Sequence, residues 1–184
     1  MVLMVRDTEA LVDAALPVAR LTALMRLPEG YAAVPGQEAR LQQCLRAAIQ
    51  SVERRTGKIL IAREVVLQGT AGGDDRLKVP VAPVSDVIEV QQSVNGTSAA
   101  ITGATLFDDP HRPTLVLPRI PSTGTPIEVR VMAGWGAWDA VPAPLAQAVL
   151  MVAQALDTGT TDDLMPMVEQ LIAPWRQRRI GGMA

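Results

Sequence analysis

One cysteine and one histidine in 184 residues leave little material for metal or nucleophilic chemistry. Cys44 has no second thiol for an internal disulfide, so it reads as a structural thiol in a helical stretch, which suits a protein made in a reducing compartment. Aromatic side chains are scarce as well: one Phe, one Tyr and three Trp. Any core must therefore be aliphatic. The formal net charge is -2 and no section is strongly basic, which argues against a protein that grips phosphate backbones. No apolar run approaches the roughly 20 residues needed to cross a bilayer. The opening MVLMVRDTEALVDAALPVARL is broken by Asp7, Glu9 and Asp13 with no basic region before it, a poor fit to a signal peptide. Asn95-Gly96-Thr97 matches a glycosylation acceptor formally, yet in a cytoplasmic chain Asn-Gly reads as a turn.

What is present is apolar and periodic. Hydrophobic residues make up 48% of the chain, enough for one good core or for a helical body carrying a small sheet. Residues 18–27, VARLTALMRL, predict a short helix between Pro17 and Pro28. From Gln37 to Arg55, Leu41, Leu45, Ala48, Ile49 and Val52 fall on one face of a long helix. Gly57 is its expected stop, with Arg54, Arg55 and Lys58 placed where the helix dipole favours positive charge. After Pro142, Leu145, Val149, Val152 and Leu156 predict a third helix that ends at Gly159. A fourth begins near Asp162 and Asp163 and carries Leu164, Val168, Leu171, Ile172 and Trp175, with Pro174 ending or kinking it.

Between Ile59 and Ala133 the pattern changes to short Val-, Ile- and Leu-rich runs separated by Gly, Pro, Asn and Asp. With no helix of crossover length between them, they predict an antiparallel sheet or partial barrel. In VPVAPVSDVIEVQQSVNG, Pro80 and Pro83 mark where a strand begins and Asn95-Gly96 where it turns back. Alternation puts Ile88, Val90, Gln92 and Val94 on the candidate core face, and Val87, Glu89, Gln91 and Ser93 on the other.

The fold class expected is α+β: a helical body of about four helices with a small inserted antiparallel β-sheet or partial barrel. The expected divisions are an N-terminal helical region (1–58), a β region (59–133), C-terminal helices packing with the first region (134–175), and a basic tail (176–184).

Chemistry finds little support. Asp108, Asp109 and His111 share the turn LFDDPHRP, but three adjacent turn residues need ligands from elsewhere to hold a metal. Neither Asp108 with His111 nor Cys44 with His111 falls in a catalytic motif. GTAGGDD lacks the Lys and Ser or Thr of a phosphate-binding loop, and MAGWGAW lacks the third glycine of a dinucleotide fingerprint. No catalytic residue, metal or cofactor is assigned, and the chain is not expected to be an enzyme. The remaining signals are surfaces. Trp135 and Trp138 in GWGAWD either cap the core or form a contact with a subunit or neck partner. Trp175 with Arg176, Arg178 and Arg179 either ends an amphipathic helix or anchors a tail on an acidic neighbour.

The order of these pieces resembles the head-tail connector family of tailed phages, the head-completion adaptors that also occur in phage-like gene transfer agents. The resemblance rests on VERRTGKIL (52–60), LKVPVAPVSDVIEV (77–90), IEVRVMAGWG (127–136), VPAPLAQAVLMVAQAL (141–156) and LIAPWRQRR (171–179). It covers roughly residues 38–180, with Trp175 standing where many relatives have tyrosine. Such proteins form a ring of about twelve neighbouring copies beneath the portal protein. That ring extends the DNA channel and receives a stopper or tail-completion protein. The resemblance thus implies assembly in the bacterial cytoplasm followed by residence in the particle neck, no membrane, and DNA that passes without sequence-specific binding. It also implies that Trp175, Arg176, Arg178 and Arg179 reach the portal. The competing expectations are another neck or tail-completion protein, a small non-catalytic cellular binding protein, or a small enzyme using Asp108, Asp109 and His111.

Overall fold

The computed structural model describes residues 3–94 and 96–176. The chain forms two compact units, Met1–Ala10 with Ile61–Trp135, and Leu11–Leu60 with Gly136–Ala184. The first is a sheet unit and the second a helical unit, so the α+β class holds.

In the helical unit, α1 (Val18–Leu24) starts directly after Pro17. α2 (Gln37–Thr56) buries Leu41, Leu45, Ala48, Ile49 and Val52, the stripe that its periodicity predicts. α3 (Ala143–Thr158), which carries Pro144 in its first turn, packs against both α2 and α4 (Thr161–Ile172). Pro144 fits there because an N–H in the first turn has no intrahelical acceptor to lose. Leu145, Val149 and Val152 are buried as expected. Leu156 instead stands 45% exposed, because Ala155 occupies the packed stripe at that end of α3. Pro166 lies inside α4, and a short 3-10 turn, Ala173–Trp175, ends the described chain just before Arg176.

Among the described residues the sheet unit holds eight strands: β1 (Leu3–Thr8), β2 (Arg63–Thr70), β3 (Arg76–Lys78), β4 (Val84–Val94), β5 (Thr97–Ala100), β6 (Thr105–Phe107), β7 (Thr114–Val116) and β8 (Pro126–Ala133). Five of them form an antiparallel sheet in the order β1-β2-β8-β4-β5, and three form a second sheet in the order β3-β7-β6. β1 lies outside the expected β region (59–133), whereas β5 follows the expected turn and returns along β4. β5 follows β4 with Val94 opposite Thr97 and Gly96 at φ 80°; Asn95, the other half of the expected turn, lies outside the described residues.

The expected faces of β4 need correction. Ser85 and Ile88 are each extra residues in the pairing with β8, so Val84, Val87 and Val90 oppose Ala133, Val131 and Val129. Each bulge shifts the alternation by one residue and turns the following side chains over. Val87 therefore shares the apolar face with Val90, while Ile88 stands 45% exposed; Val94 keeps the phase of Val90 and is 48% exposed at the end of the strand. That face is completed by Val65 and Leu67 of β2 and Ile127 of β8, all buried. Each such aliphatic side chain contributes about 1.5–3 kcal/mol.

Candidate functional site

The turn that holds the one histidine is closed by its own carboxylate. Asp109 Oδ1 accepts the backbone N–H of His111 at 2.7 Å and of Arg112 at 2.8 Å, fixing the connection from β6 to β7. Among the described residues no group of three His, Cys, Asp or Glu side chains is arranged to hold a metal. An open depression of about 270 Å³ lies over Gln68, Gln91, Gln92, Ser93, Ser98 and Glu128. Its lining presents amides, two serine hydroxyls and one carboxylate beside the apolar Pro126 and Ile127. Cys44 is half-buried; burial raises its thiol pKa, Asp157 adds to the rise, and Arg40 opposes it. Those shifts favour the unreactive thiol over the thiolate.

The polar face of the five-stranded sheet is laced with ion pairs. Arg6 of β1 meets Glu128 of β8 at 2.7 Å, and Gln68 donates to the same carboxylate at 2.8 Å. Arg130 pairs with Glu64 at 2.6 Å and reaches Glu89 at 3.7 Å. The Glu64 hydrogen bond and charge hold the Arg130 guanidinium more firmly protonated than usual. These exposed pairs are screened by water and contribute little net stability.

The segment VERRTGKIL is a buried helix terminus. Gly57 adopts φ 68° and donates its N–H to Glu53 O at 2.8 Å. Thr56 Oγ1 donates to Val52 O at 2.8 Å and accepts the Lys58 N–H at 3.3 Å, while a Glu53 carboxylate oxygen accepts the Leu60 N–H at 2.8 Å. Lys58, expected near the helix end where the dipole favours positive charge, is fully buried, and Glu53 is buried with it. The sequence did hold a signal for Glu53: it stands four residues after Ile49, on the apolar stripe.

The segment MAGWG closes the sheet unit. Gly134, at φ 122°, donates its N–H to Pro83 O at 3.0 Å and lies against the backbone of Ile61 and Ala62. The end of β8 is thereby tied to the approaches of β2 and β4, which explains the glycine.

At the C-terminal end of the helical unit, Glu169 of α4 receives Arg55 of α2 at 2.5 Å and also pairs with Arg176. Leu164, Leu171 and Trp175 are half-buried and Met167 is 56% exposed, a partly open apolar strip beside that charge cluster.

No protein-family model and no curated protein matches this chain. Solved structures do. A chain from the neck of an empty gene transfer agent particle, computed with C6 symmetry, is 35% identical with a TM-score of 0.80, over 100% of this chain and 99% of that one. The protein belongs to the neck-protein family of gene transfer agent particles. A chain in the virion of a native gene transfer agent particle is 32% identical with a TM-score of 0.78, over 100% of this chain and 99% of that one. A third, from the neck of a native particle computed with C12 symmetry, is 31% identical with a TM-score of 0.70, over 98% of both chains.

In this neck protein the quoted resemblance motifs are largely structural. VERRTGKIL caps α2, and IEVRVMAGWG provides β8 and its glycine lock. Trp135 ends the sheet unit and Trp138 opens the turn Trp138–Ala140 of the helical unit; both are half-buried. Trp175 and Arg176 lie side by side after α4, whereas Arg178 and Arg179 lie outside the described residues.

Proposed function

We propose that this protein is a head-tail adaptor: copies form a ring beneath the portal of a phage or phage-like particle, extend the DNA channel, and join the capsid to a stopper or tail. The observation that carries this reading is a likeness spanning the whole chain, at 31–35% identity, to neck chains of particles computed with C6 and C12 symmetry. A net charge of -2 suits a conduit, because a lining of phosphate-binding cations would retard passing DNA. In this reading the helical unit forms the body of the ring and its C-terminal end reaches the portal. Trp175 enters an apolar pocket, and Arg176, Arg178 and Arg179 meet portal carboxylates. Trp135 and Trp138 serve contacts to neighbouring copies or the next neck component. Arg176 would then exchange its intrachain partner Glu169 for one on the portal, a substitution of like for like that keeps the charge paired.

The test is the molar ratio of this protein to portal protein in gradient-purified particles, by quantitative mass spectrometry. A ratio near one supports the adaptor. A ratio near one half points to a sixfold component of the neck or tail instead, and absence from DNA-filled particles overturns a role in the virion. For the contact itself, Trp175→Ala is expected to leave the isolated protein folded and to weaken portal binding about 30-fold, as loss of an interface anchor worth roughly 2 kcal/mol does. Unchanged portal affinity would remove Trp175 from the interface.

A further inference from the structure

We infer that neighbouring copies join edge to edge, with β5 of one copy pairing in parallel with β1 of the next, so that the five-stranded sheet continues from copy to copy. The inference rests on the adaptor reading, which requires copies related by rotation. The sheet order β1-β2-β8-β4-β5 is antiparallel at every step, and five is an odd number. Its two edge strands therefore run in the same direction. Rotation about an axis along the strands brings β5 of one copy beside β1 of the next, parallel and with the polar faces on one side. A two-fold dimer would instead set β5 against β5 or β1 against β1.

Among the described residues, no further strand pairs with either edge. All four residues of β5 are exposed, and on β1 Met4 is 67% and Val5 45% exposed. Ile101 donates its N–H inward to Val90 O at 2.8 Å, so alternation turns the N–H and C=O of Ser98 and Ala100 outward. β5 reads Thr-Ser-Ala-Ala and carries no charge, proline or bulge, the devices that keep an edge from pairing. Its small side chains allow another backbone to approach closely. β1 carries a bulge at Arg6 together with Arg6 and Asp7, so the guarded edge differs from the bare one and self-pairing of β1 is disfavoured. A four-residue parallel joint is weak alone, and closure of a ring multiplies it.

Met4 stands opposite Gln68, and Ser98 opposite Ser93, so both project from the polar face. Full-length protein carrying Cys44→Ala, Met4→Cys and Ser98→Cys, assembled into particles and treated with a short bis-thiosulfonate, is expected to give a ladder of dimers, trimers and larger species on a non-reducing gel. Each single-cysteine variant should stay monomeric. A normal portal ratio without a ladder overturns the joint while leaving the adaptor reading intact, and dimers from Ser98→Cys alone would show β5 pairing with itself. Absence of the unmodified protein from particles would count against the adaptor reading itself. As a second variant, Ser98→Pro removes an outward donor and spares the β4 ladder. It is expected to lower incorporation at least about tenfold with an unchanged melting temperature, and normal incorporation would overturn the joint.

Discussion

Gly134→Ala is expected to lower the melting temperature and the soluble yield sharply. A Cβ at this position would lie 2.6 Å from both the Cα and the N of Ala62 and 2.8 Å from the carbonyl carbon of Ile61. These are backbone atoms, so no side chain can swing aside. The residue also holds φ 122°, a conformation that costs an L-residue about 1–3 kcal/mol before any collision. Relief requires β8 to move away from the approach to β2, which would break the Gly134 N–H bond to Pro83 and disturb the buried row Val129, Val131 and Ala133. Together these effects amount to roughly 4 kcal/mol or more, a large part of the stability of a typical domain. Thermal melts followed by circular dichroism, with soluble yield beside them, read the result. Gly136→Ala is the control: its φ is 123°, but its nearest neighbour is the Ala140 Cβ at 3.5 Å. It should cost only the conformational part, and equal losses for the two variants would show that the backbone contact at Gly134 contributes nothing.

Glu53→Ala is the second large effect, expected to destabilise the protein by about 3 kcal/mol and to lower the melting temperature by roughly 6–12 °C. The Leu60 N–H loses its 2.8 Å acceptor in a place water does not reach, since Leu60 is fully buried. An unsatisfied buried donor alone costs about 1–3 kcal/mol. Loss of the carboxylate also removes a negative charge from a cap in which the Lys58 side chain is fully buried, and a buried cation tolerates such a loss poorly. Glu53→Gln keeps an oxygen able to accept from Leu60 and changes only the charge. It should therefore fall between wild type and Glu53→Ala. A loss below about 1 kcal/mol for the alanine variant would mean that Glu53 is a passive neighbour of the cap.

The helices were legible because their packing follows a local period. Leu41, Leu45, Ala48, Ile49 and Val52 are spaced to share one face of any α-helix, and they are the residues buried on α2. The helix stops were legible for the same reason: Gly57 and Gly159 take left-handed conformations that side chains resist. The faces of β4 were less legible. Bulges at Ser85 and Ile88 are defined by what β8 presents opposite them, and strict alternation carries no trace of a partner strand. β1 was hidden because LMVRDT is exposed along most of its length and becomes a strand only by pairing with β2, some 60 residues away in sequence.

The candidate surfaces follow the same division. Composition and residue order alone determined an aliphatic α+β protein in which a proline-bounded sheet interrupts a helical frame. They also placed Trp135, Trp138 and Trp175 at the ends of elements, since element ends follow from local period and turn residues. Only the tertiary structure decided that Lys58 is buried, that Gly134 is locked against Ala62, that Arg176 shares Glu169 with Arg55, and that among the described residues no further strand pairs with either edge of the five-stranded sheet. Each of these depends on residues distant in sequence meeting in space. Burial, close approach and ion pairing depend on that meeting, and local sequence pattern does not encode it.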